Sequence, residues 1–344
     1  MTRPTVICLT PVKNEAWILD RFLRCASLWA DHIVIADQGS DDGSREIACS
    51  FPKVTLIDNP GKAVHEEKRQ RLLIEAARQF PEPRLLIALD ADEILTANVL
   101  CSPEWQTVLS APPGTVIRFP WATILPGVRS YWLYPEPQRF GFMDDGSEHQ
   151  GREIHSPRIP VRGRGPVLTL SRVAVMHYVG VDPQRWRSKL RWYQCWEQLN
   201  GTGRRPAELY RFYHKDLSIP EREIRRIPPS WLRGYQQRGI DMTTVVGARA
   251  YRWDREILRL FAEHGTRRFR KLAIWDESWT SKARALGVEV SGKEFRDPRS
   301  RIDRLVHGWL RRTQPYYSHY GPEPSFFRRV SLRAADALLR AMGW

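Results

Sequence analysis

The chain has 344 residues, 54 Lys and Arg against 39 Asp and Glu, and a formal net charge of +15. No apolar run approaches the ~20 residues of a membrane-spanning helix. The five scattered cysteines, Cys8, Cys25, Cys49, Cys101 and Cys195, make neither a metal-binding pair nor a disulfide framework, which suits a reduced cytoplasm.

The apolar run Val6 to Leu9 reads as a first strand, and residues 1–9 hold too short an apolar core for a signal peptide. Polar residues follow at Thr10 to Glu15. Ile18, Leu19, Phe22, Leu23 and Leu28 then recur at helical spacing. A second strand, His32 to Ala36, runs into Asp37-Gln38-Gly39-Ser40-Asp41-Asp42-Gly43-Ser44, a turn in which Ser40 or Asp41 is expected to cap the next helix. Lys53 to Ile57 reads as a third strand, Glu66 to Gln79 as a helix, and Leu85 to Leu89 as a fourth strand. Strands alternating with helices predict βαβ units and a parallel sheet.

The fourth strand ends on Asp90-Ala91-Asp92-Glu93. In an open α/β sheet the loops beyond the C-terminal strand ends are where ligands bind. Clustered carboxylates there repel one another unless a cation offsets them, and hard oxygen ligands suit Mg²⁺ or Mn²⁺ bridging to phosphates. A solvated acidic turn would read the same way. Polar residues converge at three strand ends, Thr10 to Glu15, Asp37 to Ser44 and Asp90 to Glu93, as a nucleotide pocket requires.

Four pieces, Asn14-Glu15, the Asp37 to Ser44 loop, Lys68-Arg69-Gln70 and Asp90-Ala91-Asp92-Glu93, resemble the family 2 glycosyltransferases in order and spacing. The look is closest to bacterial lipopolysaccharide-core and cell-surface polysaccharide transferases. The likeness continues through Arg152-Glu153-Ile154-His155 and Met176-His177-Tyr178 and ends near Arg191-Trp192-Tyr193. It implies a GT-A fold, which is Rossmann-like with a mostly parallel sheet flanked by helices, over residues 1–200. Residues 201–344 are then a basic, mainly helical acceptor- or membrane-facing region.

By the same resemblance Thr10, Pro11, Asn14, Glu15, Asp37, Gly39 and Ser40 line a nucleoside pocket, with Asp37 accepting from the base. Lys68 or Arg69 approaches the nucleotide, and Asp90 contacts ribose or sugar, or reaches the metal through water. Asp92 binds a divalent cation, Mn²⁺ or Mg²⁺. His177, after the strand-like Arg172 to Met176, is either a further metal ligand or a structural histidine. The implied activity is transfer of a sugar from a nucleotide-diphosphate donor, UDP-sugars being favoured, to a glycan or lipid-linked hydroxyl with inversion. An inverting reaction requires a carboxylate base. Asp144, Asp145, Glu148 and Glu153 are the candidates, and Glu153 is chosen, although Ser156 stands where relatives carry a Glu after the His.

Residues 1–100 hold 12 Lys and Arg against 15 Asp and Glu, and the remainder 42 against 24, so the basic character belongs to the later part. Such a surface suits an acidic glycan, anionic lipid or nucleic acid, or is a solvated helical face. Trp186 to Leu199 predicts a helix, with a break at Asn200-Gly201-Thr202-Gly203 and further helices near 248–264 and 302–312. Phe326 to Trp344 interleaves Phe327, Val330, Leu338 and Trp344 with arginines. That pattern fits a helix lying on the inner face of the cytoplasmic membrane, making nucleic acid the less favoured partner. It equally fits a terminal helix packed on the body. The competing class is a basic membrane- or nucleic-acid-binding protein on a vestigial GT-A scaffold. A nicotinamide enzyme is disfavoured because Thr10 to Glu15 contains no glycine.

Overall fold

A computed structural model describes residues 3–59, 65–160, 165–201, 203–216, 219–248, 250–289 and 295–344. The first part of the chain forms β1 (Thr5–Val12), α1 (Ala16–Ala26), β2 (His32–Asp37), α2 (Ser44–Cys49), β3 (Val54–Asp58), α3 (Glu66–Ala77), β4 (Arg84–Ala88) and β5 (Glu93–Leu95). There follow α4 (Pro103–Leu109), β6 (Val116–Phe119), β7 (Trp121–Ile124), β8 (Ser130–Leu133), β9 (Gln138–Met143), β10 (Val167–Thr169) and β11 (Val175–His177). The remainder forms α5 (Pro183–Asn200), α6 (Pro206–His214), β12 (Arg225–Arg226), α7 (Arg233–Gln236), α8 (Arg252–His264), α9 (Trp279–Ala285), α10 (Arg301–Thr313) and α11 (Phe326–Ala341). The fold is mixed α/β, a parallel-rich, Rossmann-like sheet flanked by helices with a helical C-terminal part.

Two compact units divide the chain, Met1–Val181 with Arg225–Val246, and Asp182–Ile224 with Gly247–Trp344. In the first, a seven-stranded sheet has the order β10-β6-β9-β4-β1-β2-β3. Its run β4-β1-β2-β3 is parallel, and β9 lies antiparallel between β4 and β6. Alternate residues of the apolar strands enter different cores. Val6, Cys8, Ile33, Ile35, Leu85 and Ile87 pack with α1 residues such as Leu19 and Phe22. Ile7, Leu9, Val34, Ala36, Leu86 and Ala88 pack with Leu73, Ile74 and Ala77 of α3. Burial on both faces explains why these strands read as unbroken apolar runs rather than alternating ones. The connection order moves from β1 to β2 and β3, then jumps back across β1 to β4, so the switch point opens between β1 and β4. That is where such sheets place ligands.

A second sheet, β12-β8-β7-β11-β5, carries the continuation of the acidic loop. β11 pairs antiparallel with β5, setting His177 opposite Glu93, and parallel with β7, setting His177 beside Thr123. Gly180, just beyond β11, is a close-approach position: a Cβ there would lie 2.5 Å from the Ile124 carbonyl oxygen. Gly180→Ala is expected to cost about 1–3 kcal/mol of stability, read as a lowered midpoint in urea unfolding.

The units meet in sequence at Val181 and Asp182, where Asp182 caps α5 through the Gln184 and Arg185 amides and Pro183 takes the first helical turn. The expected handover at Asn200-Gly201 is instead the end of α5, with Gly201 in the left-handed conformation. The segment Arg225–Val246 belongs with the first unit: Trp231, Tyr235, Ile240 and Met242 enter its core, and Tyr235 Oη donates to the Leu95 carbonyl at 3.0 Å. The second unit packs α5, α6 and α8 around Leu209, Ile257, Phe261, Trp275 and Trp279. Among the described residues no helix is long and apolar enough to cross a membrane.

The turn after β2 differs from its expected form. Gly43 (φ 93°), not Ser40 or Asp41, is the N-cap of α2. The side chains of this loop serve both helices: Asp42 Oδ2 accepts from the Ala16 amide at 3.0 Å and Ser44 Oγ from the Glu15 amide at 2.9 Å, while Asp42 Oδ1 accepts the Ser44 amide of α2 at 3.0 Å. A left-handed residue needs glycine at Gly43, which frees the neighbouring oxygens to satisfy the orphan amides of the adjacent helix.

Candidate active site

Three groups of side chains gather at the C-terminal edge of the parallel strands. The first joins the ends of β1 and β2. Asn14, left-handed at φ 55°, donates its side-chain amide to Asp41 and accepts the Asp41 amide in return, and its own backbone N–H donates to Ser40 Oγ at 2.9 Å. Asp37 is buried and accepts from the Gly39 amide at 3.0 Å, the Ser40 amide at 3.1 Å and Arg45 at 2.7 Å. Burial opposes its ionisation, but the hydrogen bonds from Ser40 and Arg45 prevail and hold its carboxyl below the ordinary range. Arg45 also bridges to Asp58. Asp37 thus organises the loop from within. Thr10 is buried in the strand beside Cys8, while Pro11, Gly39 and Ser40 keep surface at the edge. Glu15 accepts from the Trp17 indole at 2.7 Å.

The second group is the acidic loop. Glu93 is fully buried and accepts the Asp90 amide at 2.9 Å, closing the turn. Burial pushes its carboxyl upward, with Arg158 opposing. Arg158 lies across the loop, bonded to both Glu93 oxygens and to Asp90 Oδ2 at 2.9 Å, its guanidinium 5.1 Å from the Phe140 ring centroid. Its own pKa is raised: burial alone would lower it, but the facing carboxylates prevail. The charge that the carboxylates gather is therefore offset by a side chain 68 positions from Asp90 and 65 from Glu93. Sequence reasoning missed it. The only local signal is the frame Pro157-Arg158-Ile159-Pro160, which is weak.

Asp92 pairs with the neighbouring strand β11. Its carboxylate Oδ2 lies 3.6 Å from His177 Nε2, and its carbonyl accepts the Tyr178 amide at 2.7 Å. The pairing of β5 with β11 sets this distance. His177 stacks on Trp121 with centroids 4.8 Å apart, and Tyr134 lies 5.4 Å from the same indole. A carboxylate oxygen and an imidazole nitrogen at this separation fit a divalent cation that completes its shell with ligand oxygens and water. Among the described residues no group of three or more His, Cys, Asp or Glu is arranged to hold a metal alone.

The third group sits at the start of α3. The Glu153 and Arg152 carbonyls accept the Glu66 and Glu67 amides, capping the helix. The Glu153 carboxylate is exposed and lies 3.6 Å from His65 Nδ1. Lys68 is exposed, whereas Arg69 Nε and Gln70 Oε1 are buried without a hydrogen-bond partner among the described residues. Trp121 Nε1 is likewise unpartnered there. Buried polar atoms left unpaired are costly and call for a partner.

Of the other candidate bases, Asp144 is structural, not a base. It is buried, held by Arg78 at 2.9 Å and Arg84 at 3.0 Å, and although burial opposes ionisation these arginines hold its carboxyl low. Asp145 accepts the Ser147 amide. Glu148 is exposed.

No family model and no curated protein matches the chain. Solved structures align with low similarity. A 4-diphosphocytidyl-2C-methyl-D-erythritol synthase is 12% identical over 27% of this chain and 48% of its own, with a TM-score of 0.21. A nucleotidyl transferase from Methanothermobacter thermautotroptrophicus is 11% identical over 40% and 70%, at 0.25. HddC from Yersinia pseudotuberculosis is 9% identical over 54% and 96%, at 0.32. The chain spans about half the length of the first of these. Likenesses at this level carry no argument about activity, so the functional reading stands on the chain's own residues.

Proposed function

We propose that the unit formed by Met1–Val181 and Arg225–Val246 is a metal-dependent glycosyltransferase of the GT-A kind. It would move a sugar from a nucleotide diphosphate, UDP-sugars being favoured, to a glycan or lipid-linked hydroxyl. The observation that carries this reading is the pairing of Asp92 with His177 beside the β1–β4 switch point. The residues of the resemblance keep their proposed parts except Asp37, whose carboxylate already accepts from the Gly39 and Ser40 amides and from Arg45. Pro11, Asn14, Gly39 and Ser40 border the nucleoside, with Thr10, Glu15 and Asp37 holding that wall. Arg69, Gln70 and Lys68 approach the phosphates, and the two unpartnered polar atoms of Arg69 and Gln70 support a ligand there. Asp92 and His177 would hold Mn²⁺ or Mg²⁺, which when bound offsets negative charge on the departing diphosphate. Asp90, with its side chain 30% exposed, would contact ribose or sugar while Arg158 fixes its orientation. Trp121 and Tyr134 offer flat apolar faces on which a sugar ring can rest.

In the reaction the acceptor oxygen bonds to the anomeric carbon as the bond to the diphosphate oxygen breaks. The acceptor proton passes to a carboxylate base, Glu153 in this proposal. A product retaining the donor's anomeric configuration would exclude inversion.

The test is calorimetric titration with UDP, GDP and dTDP, each with and without Mn²⁺, repeated on Asp92→Ala. One nucleotide is expected to bind with Mn²⁺, and the variant to lose the part of that affinity that Mn²⁺ adds. Absence of binding by all three, or binding indifferent to both Mn²⁺ and Asp92→Ala, would remove the proposal.

A further inference from the structure

Helix α11 presents an apolar stripe that its own unit does not bury. Its inward side is narrow: Leu332 and Leu339 are covered, and Leu339 joins Trp344, Ala207, Tyr210, Val306 and Leu310. Outward, Phe327, Val330, Leu338 and Met342 are all exposed, and with Ala334 they fall on one helical face. Phe326 and Phe327 are 73% and 81% exposed, more than a solvated helix start would be expected to leave to water. Arg328, Arg329 and Arg333 share the helix with a single acid, Asp336, which accepts a hydrogen bond from Tyr317 Oη. Helix α10 repeats the design. Ile302, Leu305 and Trp309 are exposed at spacings of three and four, among Arg301, Arg304, Arg311 and Arg312.

We propose that α11, assisted by the outer face of α10, lies in the surface of an anionic lipid bilayer. Such a surface is complementary to these helices in two ways at once. Nucleic acid would use the arginines and leave paired phenylalanines in water. A second protein surface would cover the phenylalanines without needing an arginine excess on two helices. A bilayer with anionic headgroups takes the aromatic rings at the acyl boundary and the guanidinium groups at the phosphates. The mode is peripheral, since neither helix is apolar enough to cross.

The test is co-sedimentation of the full chain with phosphatidylcholine vesicles, with and without phosphatidylglycerol, at rising salt. Binding is expected only with phosphatidylglycerol, and it should weaken as salt screens the arginines. The double variant Phe326→Ser/Phe327→Ser should bind about 100-fold more weakly, because two large apolar side chains leave the lipid. Arg329→Glu/Arg333→Glu should weaken binding and flatten its salt dependence. All four side chains are exposed, so thermal melts should coincide with wild type and confirm intact folding. No binding to the anionic vesicles, or binding that both variants leave unchanged, overturns the proposal. So does a concentration-dependent dimer, in the absence of lipid, that the phenylalanine variant dissolves. None of these outcomes depends on nucleotide binding by the other unit.

Discussion

Arg158→Ala is expected to destabilise the unit that contains it by about 3–5 kcal/mol at neutral pH, the cost of stranding a buried carboxylate. Glu93 has no exposed surface, and its oxygens accept the Arg158 fork and the Asp90 amide. Without the guanidinium, Glu93 must remain charged without its hydrogen-bonded cation or take a proton. Its carboxyl is already pushed upward by burial and by Asp90, and loss of Arg158 pushes it further. A folded-state pKa above the unfolded value makes stability fall as pH rises through it. The variant's deficit should therefore be small below the ordinary glutamate value of 4.5 and grow above it. Arg158→Ala/Glu93→Gln removes the charge while keeping an acceptor for the Asp90 amide, and should recover much of the loss. Urea unfolding at about pH 7.5 and about pH 5 measures all three proteins. Equal instability of the single and double variants, or a deficit that ignores pH, would show that Glu93 does not rely on Arg158.

The same loop shows what the sequence made legible. Unbroken apolar strands such as Val6 to Leu9 and Leu85 to Leu89 announced a parallel sheet because both faces are buried, and local periodicity carries that information. The acidic loop was also legible, since three carboxylates after a strand are unusual in one dimension. Its neutralisation was not. Arg158 reaches Glu93 across 65 positions, and nothing in the residues around it marks that destination. The return of Arg225–Val246 to the first unit was hidden for a similar reason. Trp231 and Tyr235 look like any aromatic residues near a proline turn until tertiary packing gives them a core. Ser40 and Asp41 were legible as polar turn residues but not as partners of Asn14, because a side chain that can cap its own helix can equally serve a neighbour.

In the second unit, acid should weaken folding through two histidines, and the window separates them from the carboxylates. His307 is held between Arg299, whose Nη1 lies 3.2 Å from Nδ1, and the Lys271 carbonyl, 3.1 Å from Nε2. Arginine can only donate and the carbonyl only accept, so the ring is fixed as the neutral tautomer with its proton on Nε2. Asp303, His214, the Tyr210 ring at 6.4 Å and the perpendicular Trp344 ring at 5.2 Å also face it. His214 stacks on Tyr210 with centroids 4.0 Å apart, near Asp276, Arg191 and Arg211, and its Nδ1 lies 2.9 Å from the Tyr210 carbonyl. Burial is the main cause that pushes each from 6.5 down to about 4. A depressed folded-state value means stability is present above about pH 6.5 and is lost as pH falls through about 4. The loss is on the order of 3 kcal/mol per histidine, less where the two influence each other. Asp276 and Asp297 also titrate low in the folded state, but their contribution is lost only below the ordinary carboxylate value of 3.8. Stability measured from about pH 7 to about pH 4 in wild type, His307→Gln and His214→Gln isolates the imidazoles, since glutamine cannot take the proton. The variants should start less stable and decline less steeply. Parallel declines in all three proteins would mean that neither ring resists protonation, and that the tautomer locked by Arg299 and Lys271 costs nothing to break.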